Sequence, residues 1–282
     1  MKLSLSLIIF ILLSSCSHKD DIHEFPPEPT PTPTPVVIDL KEVKDCQGAT
    51  VKGPIQVFNK NGYVIRNCKI VGADTIDGDT IGIDVRDSEN VLIENNHFSK
   101  IGNEKTAQGH CVRVFDSSRV DIKNNVAEGN FMGRSECISH HGTDSEISGN
   151  TLIGNTNIGI DALGAEGNGL GSRLKIIGNI IKDQKNGKRH AAGIYCDCCK
   201  DSVIEGNTVD NAELGIEVSC EIKKHMAENV KVMGNTIKNS RVIGLKVGAG
   251  YGVKGCLLYD NNIAENKKPY VDEGNSDCVA PK

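Results

Sequence analysis

The sequence predicts an all-β solenoid of about eight stacked rungs, and two observations in phase with each other carry that prediction. A motif of the form aliphatic-x-x-Asn-x-aliphatic recurs with its Asn at Asn96, Asn125, Asn150, Asn179, Asn207, Asn235 and Asn261. A second motif, a small residue followed by an aliphatic, recurs at Ile83, Val112, Ile138, Ile160, Ile194, Ile216 and Leu245. Both strings alternate apolar and polar residues between short Asn/Gly/Ser turns, which marks strands rather than helices. The Asn column repeats every 25 to 29 residues, and such a fixed period is the signature of a coil built from one repeating unit.

The Asn column has a physical use. Asn tolerates the left-handed backbone of a sharp turn, and amides stacked about 4.8 Å apart can hydrogen-bond along the axis. An upstream copy, "IRNCKI", carries Cys68 where the Asn would stand. On these repeats the chain resembles the right-handed parallel β-helix proteins of the pectate-lyase-like superfamily, over residues 37–282. The resemblance implies the fold; activity has to come from individual residues.

Ahead of the repeats the chain changes character. Residues 1–15, "MKLSLSLIIFILLSS", hold one Lys and an apolar run too short to span a bilayer. "LSSC" resembles a bacterial lipobox, which implies a signal peptide over 1–15 and lipidation of Cys16. Residues 16–36 then form a tether, with "FPPEPTPTPTP" expected as extended polyproline II. Asp20 and Asp21 resemble the surface-export signal of Bacteroidetes lipoproteins. The expected location is the outer membrane, facing either the cell surface or the periplasm, with Cys16 as the only membrane contact.

Composition narrows the partners. A formal charge of −5 argues against nucleic acid, which needs a basic face. Apolar content of 38%, 30 Gly and no Trp suit a narrow coil of short strands, expected to be a monomer. Eleven Cys in an exported chain point to disulfides. Equivalent positions on adjacent rungs pair Cys111 with Cys137 and Cys198 with Cys220. Cys46 with Cys68, and Cys256 with Cys278, are expected end staples. Zinc held by Cys196, Cys198, Cys199 and Cys220 is the alternative.

In the related folds substrate lies along the sheet preceding the Asn turn, which by resemblance is the one built from the second motif. Alternation turns two columns of that sheet outward. One reads Asp84, Arg113, Ser139, Asp161, Tyr195, Glu217, Lys246; the other reads Arg86, Phe115, His141, Leu163, Asp197, Ser219, Gly248. His140 falls in the inward column between them. The loops flanking the middle rungs are the longest and bring Glu166, Lys188, Arg189 and Glu221. Acids, Arg, His and Tyr gathered on one face predict a groove for polysaccharide.

Three functions fit such a groove. A lyase would need a base, a cation to neutralise a uronate carboxylate, and an acid. Arg86 and Arg113 could neutralise, with Lys188, Arg189 and Glu166 also binding substrate, while His141 or Tyr195 moves protons. Ca²⁺ held by Asp161, Asp197, Glu217 and Glu221 is an alternative neutraliser. An inverting hydrolase would pair Asp161 with Asp197, or Asp197 with Glu217, at Cα separations of about 8 Å. The third reading is a glycan-binding or surface protein without catalysis.

Overall fold

A computed structural model describes residues 42–76, 78–105, 108–164, 172–186 and 191–278. Cys16, the leader and tether, Glu166, Lys188 and Arg189 lie outside the described residues. Among those described, the regular elements are strands, and no helix is long and apolar enough to cross a membrane.

Each repeat contributes three strands, and equivalent strands stack in parallel. The first stack includes Asp79–Arg86, the opening half of Gln108–Lys123, Glu136–Thr143, Ile158–Leu163, Ala192–Asp197, Leu214–Cys220 and Ile243–Gly250. The second runs from Glu42–Asp45 through Asn61–Arg66 and Glu89–Glu94 to Leu257–Tyr259, and the third from Thr50–Gly53 to Thr236–Lys238. The coil makes about seven turns. The register is the one the motif predicts: Ile83, Val112, Ile138, Ile160, Ile194, Ile216 and Leu245 pair in succession.

That register fills a single core. Ile93, Ile122, Ile147, Ile176 and Ile204 enter it from the second stack, and Ile70, Phe98, Leu152, Ile181 and Val209 from the third, all essentially inaccessible. The small residue ahead of each first-stack aliphatic has a steric reason. A Cβ on Gly193 would lie 2.4 Å from Val209 Cγ1 and 2.7 Å from the Gly215 carbonyl of the next rung.

The Asn ladder forms. The Asn150 side-chain oxygen accepts from the Asn125 backbone N–H at 2.9 Å and from the Asn125 amide at 3.0 Å. The Asn150 amide donates to the Ile122 carbonyl at 2.8 Å and to Asn179 Oδ1 at 2.9 Å. The pattern runs from Asn96 to Asn261. The left-handed residue is the one before the ladder Asn, at Asn95, Asn124, Gly149, Gly178, Gly206, Gly234 and Asp260. The ladder Asn therefore serves as a hydrogen-bonding clamp, and its neighbour makes the bend.

Disulfides Cys46–Cys68, Cys198–Cys220 and Cys256–Cys278 form where the stacking places them, and Cys196 closes on Cys199. The zinc alternative is thereby overturned, because its four sulfurs are taken up in two disulfides. Cys111 and Cys137 stack as expected, but the bond between them is not made. They are buried thiols with Sγ atoms 2.7 Å apart.

Candidate functional site

The outward columns of the first stack come together as predicted, in direct register from Asp84 through Arg113, Ser139, Asp161, Tyr195 and Glu217 to Lys246. They divide into two adjoining groups. The first surrounds a cleft of about 320 Å³ lined by Gln108, His110, Arg113, Phe115, Arg134, Ser135, Glu136, Ser139, His141, Asp161 and Leu163. The second holds Tyr195, Asp197, Glu217, Ser219, Glu221 and Lys246 one to three rungs further along.

Asp161 is the focus of the cleft. It is buried, and its Oδ1 has no hydrogen-bond partner. Burial, and then the negative charges of Glu136, Asp197 and Glu221, push its carboxyl well above the usual range. Asp197 is buried too, and its Oδ1 accepts the Glu221 backbone N–H at 2.8 Å. Desolvation raises it to about 6, with Glu221 and Glu217 adding to the rise against the hydrogen bond that opposes it. Asp197 pairs in register with Ser219, and Leu163 pairs with Asp197, so Asp161 and Asp197 sit one rung and two residues apart. That spacing corresponds to about 8 Å between their Cα atoms.

The histidines are held neutral. His141 is depressed to about 4 by burial and by Arg113, and its Nε2 lies 3.3 Å from Ser139 Oγ. His110 is depressed to about 3 by burial, then by Arg113, with its Nδ1 3.2 Å from the Glu136 carbonyl. His140 faces the core as alternation demands and is inaccessible. Gly142 makes room for it, since a Cβ there would meet His140 Cε1 at 2.8 Å.

Several expected roles are corrected. Arg113 is held by Asp84 and Asp79 through contacts of 3.0 to 3.1 Å, and Arg86 lies on Asp84 at 2.9 Å and over the Phe58 ring. Neither guanidinium is free to neutralise a uronate. Tyr195 is buried against Ala192, Leu214 and Ile243 rather than presented to solvent, and burial followed by the Asp197 charge raises its hydroxyl far from ionisation. Glu217 turns to Lys246 at 3.1 Å, while Ser219 Oγ lies 3.3 Å from Glu217 Oε1.

The four carboxylates considered for Ca²⁺ do not converge. Among the described residues the one metal-like grouping is Asp197 with Cys198 and Cys220, whose sulfurs share a disulfide. Sequence reasoning missed Gln108, His110, Arg134 and Glu136. Arg134 precedes its strand, Gln108 and Glu136 open theirs and His110 is the third residue of its own, all outside the four-residue outward window, and all line the cleft with Asp161.

Two family models match the chain: one described as a right handed beta helix region, over residues 36–152, and one described as periplasmic copper-binding protein (NosD), over 168–279. The chain is a right-handed parallel β-helix. Among the described residues of that second span the cysteines are all in disulfides. An alginate lyase from Paenibacillus sp. str. FPU-7 shares the fold with a TM-score of 0.55 and 16% identity, covering 78% of this chain and 74% of its own. PfbA, a surface adhesin of Streptococcus pneumoniae, does so with a TM-score of 0.52 and 14% identity, covering 73% and 55%. The uncharacterized protein YwoF of Bacillus subtilis is 28% identical over 232 residues, 75% of this chain. The chain spans about half the length of that curated relative.

Proposed function

We propose that this β-helix is a glycoside hydrolase of the inverting type, acting on polysaccharide laid along its first sheet. The observation that carries the reading is the unequal pair Asp161 and Asp197. Environments that push two carboxyls to different protonation states assign the acid and the base. Asp161, which lines the cleft and whose protonated form burial favours, donates its proton to the glycosidic oxygen. Asp197, ionised above about pH 6, takes a proton from water, and that water's oxygen attacks the anomeric carbon as the bond to the leaving sugar breaks. Strand geometry sets their Cα atoms about 8 Å apart, and inverting enzymes keep roughly 6.5–9.5 Å between the carboxyl groups to admit the water.

The lyase expectation is the weaker reading on this geometry. A sugar C–H is a poor proton donor and needs a strong base, whereas His110 and His141 are weakly basic imidazoles and Tyr195 stays protonated. We further propose that the domain is held at the outer membrane by lipid on Cys16 through its Pro/Thr-rich tether, with the face of the membrane open.

The test is product analysis on neutral glycans and polyuronates. Release of reducing ends without unsaturated-end absorbance is expected, with Asp161→Asn and Asp197→Asn each lowering kcat by at least about a hundredfold. Glu205→Gln, on the second stack, is the silent control. Absorbance of unsaturated ends, or full activity in Asp197→Asn, would overturn the assignment.

A further inference from the structure

The cleft holds a feature that acid–base chemistry does not use. Phe115 is 42% exposed, and of the described large apolar side chains that remain more than a third exposed, it alone lines this cleft. The chain has only six Phe and no Trp, so leaving one in water on this face is a departure from the buried use made of Phe98. The ring is held on one side by His141. Arg86 and His141 flank it in register, and its centroid lies 4.8 Å from that of His141 at an interplanar angle of 38°. Its strand also breaks immediately after it: the pairing shifts between Phe115 and Ser117, with Asp116 in the left-handed region. That bulge sets the ring at the edge of the groove.

We infer that Phe115, backed by His141, is a stacking platform for one pyranose ring of the polysaccharide, a subsite separate from the acid pair. An aromatic face in water, ringed by fixed polar groups, suits the C–H face of a sugar whose rim carries hydroxyls. Gln108, Arg134, Glu136 and Ser139 line the same cleft and supply that polar ring. Arg113 and Ser139 pair in succession with Asp161, so the platform stands two rungs from the acid, about 10 Å along the axis. A glycan occupying both sites runs parallel to the solenoid axis, extending from Asp161 toward the N-terminal rungs. Because His141 stays neutral above about pH 4, the platform carries no charge change in the working range.

The platform rests on the reading that the groove takes polysaccharide, and its test separates the two. Soluble α- and β-glucans, xylan, mannan, alginate and polygalacturonate serve as probes in affinity electrophoresis against the Asp161→Asn protein, which removes turnover. Adding Phe115→Ala should weaken binding of the retained glycan by about tenfold, and Phe115→Trp should restore it. In the active enzyme Phe115→Ala should raise KM by a similar factor at nearly constant kcat, with an unchanged far-UV spectrum confirming the fold. Unchanged affinity in Phe115→Ala with turnover still abolished by Asp161→Asn overturns the platform and leaves the hydrolase standing. Weakened binding to a protein that never cleaves any probe overturns the hydrolase and upholds the platform. Binding of none of these glycans overturns both.

Discussion

At the scale of single residues, the site is made by burial. An outward column in a strand would ordinarily be solvated, yet Asp84, Asp161, Asp197 and Glu217 are all buried. For Asp161 and Asp197 burial opposes ionisation, and for Asp197 the effect has a measurable sign. Asp197 titrates near 6 in the folded protein against an ordinary value of 3.8. Below the ordinary value both states are protonated and nothing is lost. As pH rises from about 4 to 6 the unfolded chain releases a proton that the folded chain keeps, so stability falls, and above 6 the full cost of about 3 kcal/mol is present. Asp197→Asn should thus be more stable than the parent at pH 7.5 and nearly equal to it at pH 3.5. Thermal unfolding at both values checks this, and equal shifts at the two would show that the carboxylate is not strained. None of this was legible in the sequence, where alternation assigns a direction to Asp197 but says nothing of what covers it.

At the scale of the strand, the inward column of the first stack reads Val85, Val114, His140, Ala162, Cys196, Val218 and Val247, and His140 is its anomaly. Its ring nitrogens lack well-formed hydrogen bonds, and the backbone of His140 and Val120 supplies only a weak contact that holds its basicity up slightly. Burial depresses it to about 3, so acidification below 6.5 protonates the unfolded chain first and destabilises the fold progressively down to about 3. His140→Val copies its neighbours in the stack. It should raise the unfolding temperature at pH 7 by a few degrees and flatten the loss between pH 6.5 and 4. A lowered melting temperature would show instead that the imidazole has a bonded role. The inward direction of His140 was legible from period 2, as was the stacking of Cys111 on Cys137. What alternation misses is the strand start. Gln108, His110, Arg134 and Glu136 line the cleft with Asp161 although they stand ahead of the window from which the outward columns were read.

At the scale of the whole molecule, the fold was legible because a repeat states the same constraint many times, whereas the site is stated once. The Asn column gave the register for every rung, and seven concordant positions outweigh any one local error. The repeat also dictates how stability is distributed. Each ladder Asn bonds to the rung before and the rung after, so an interior member is shared by two interfaces and a terminal member by one. The Asn150 side chain makes three bonds to Asn125 and Asn179 and a fourth to the Ile122 carbonyl, and its loss strands buried donors and acceptors on both sides. Asn261 accepts from Asn235 and donates to the Val232 carbonyl, with no further ladder Asn beyond it. At about 1–3 kcal/mol for each buried group left unpaired, Asn150→Ala should lower unfolding stability by at least about 3 kcal/mol. Asn261→Ala should cost clearly less, because Asn261 has a ladder partner on one side only. Urea unfolding of the two variants decides the point. Equal losses would mean that the rungs unfold as one indivisible block, and the nearest-neighbour account of the ladder would fail.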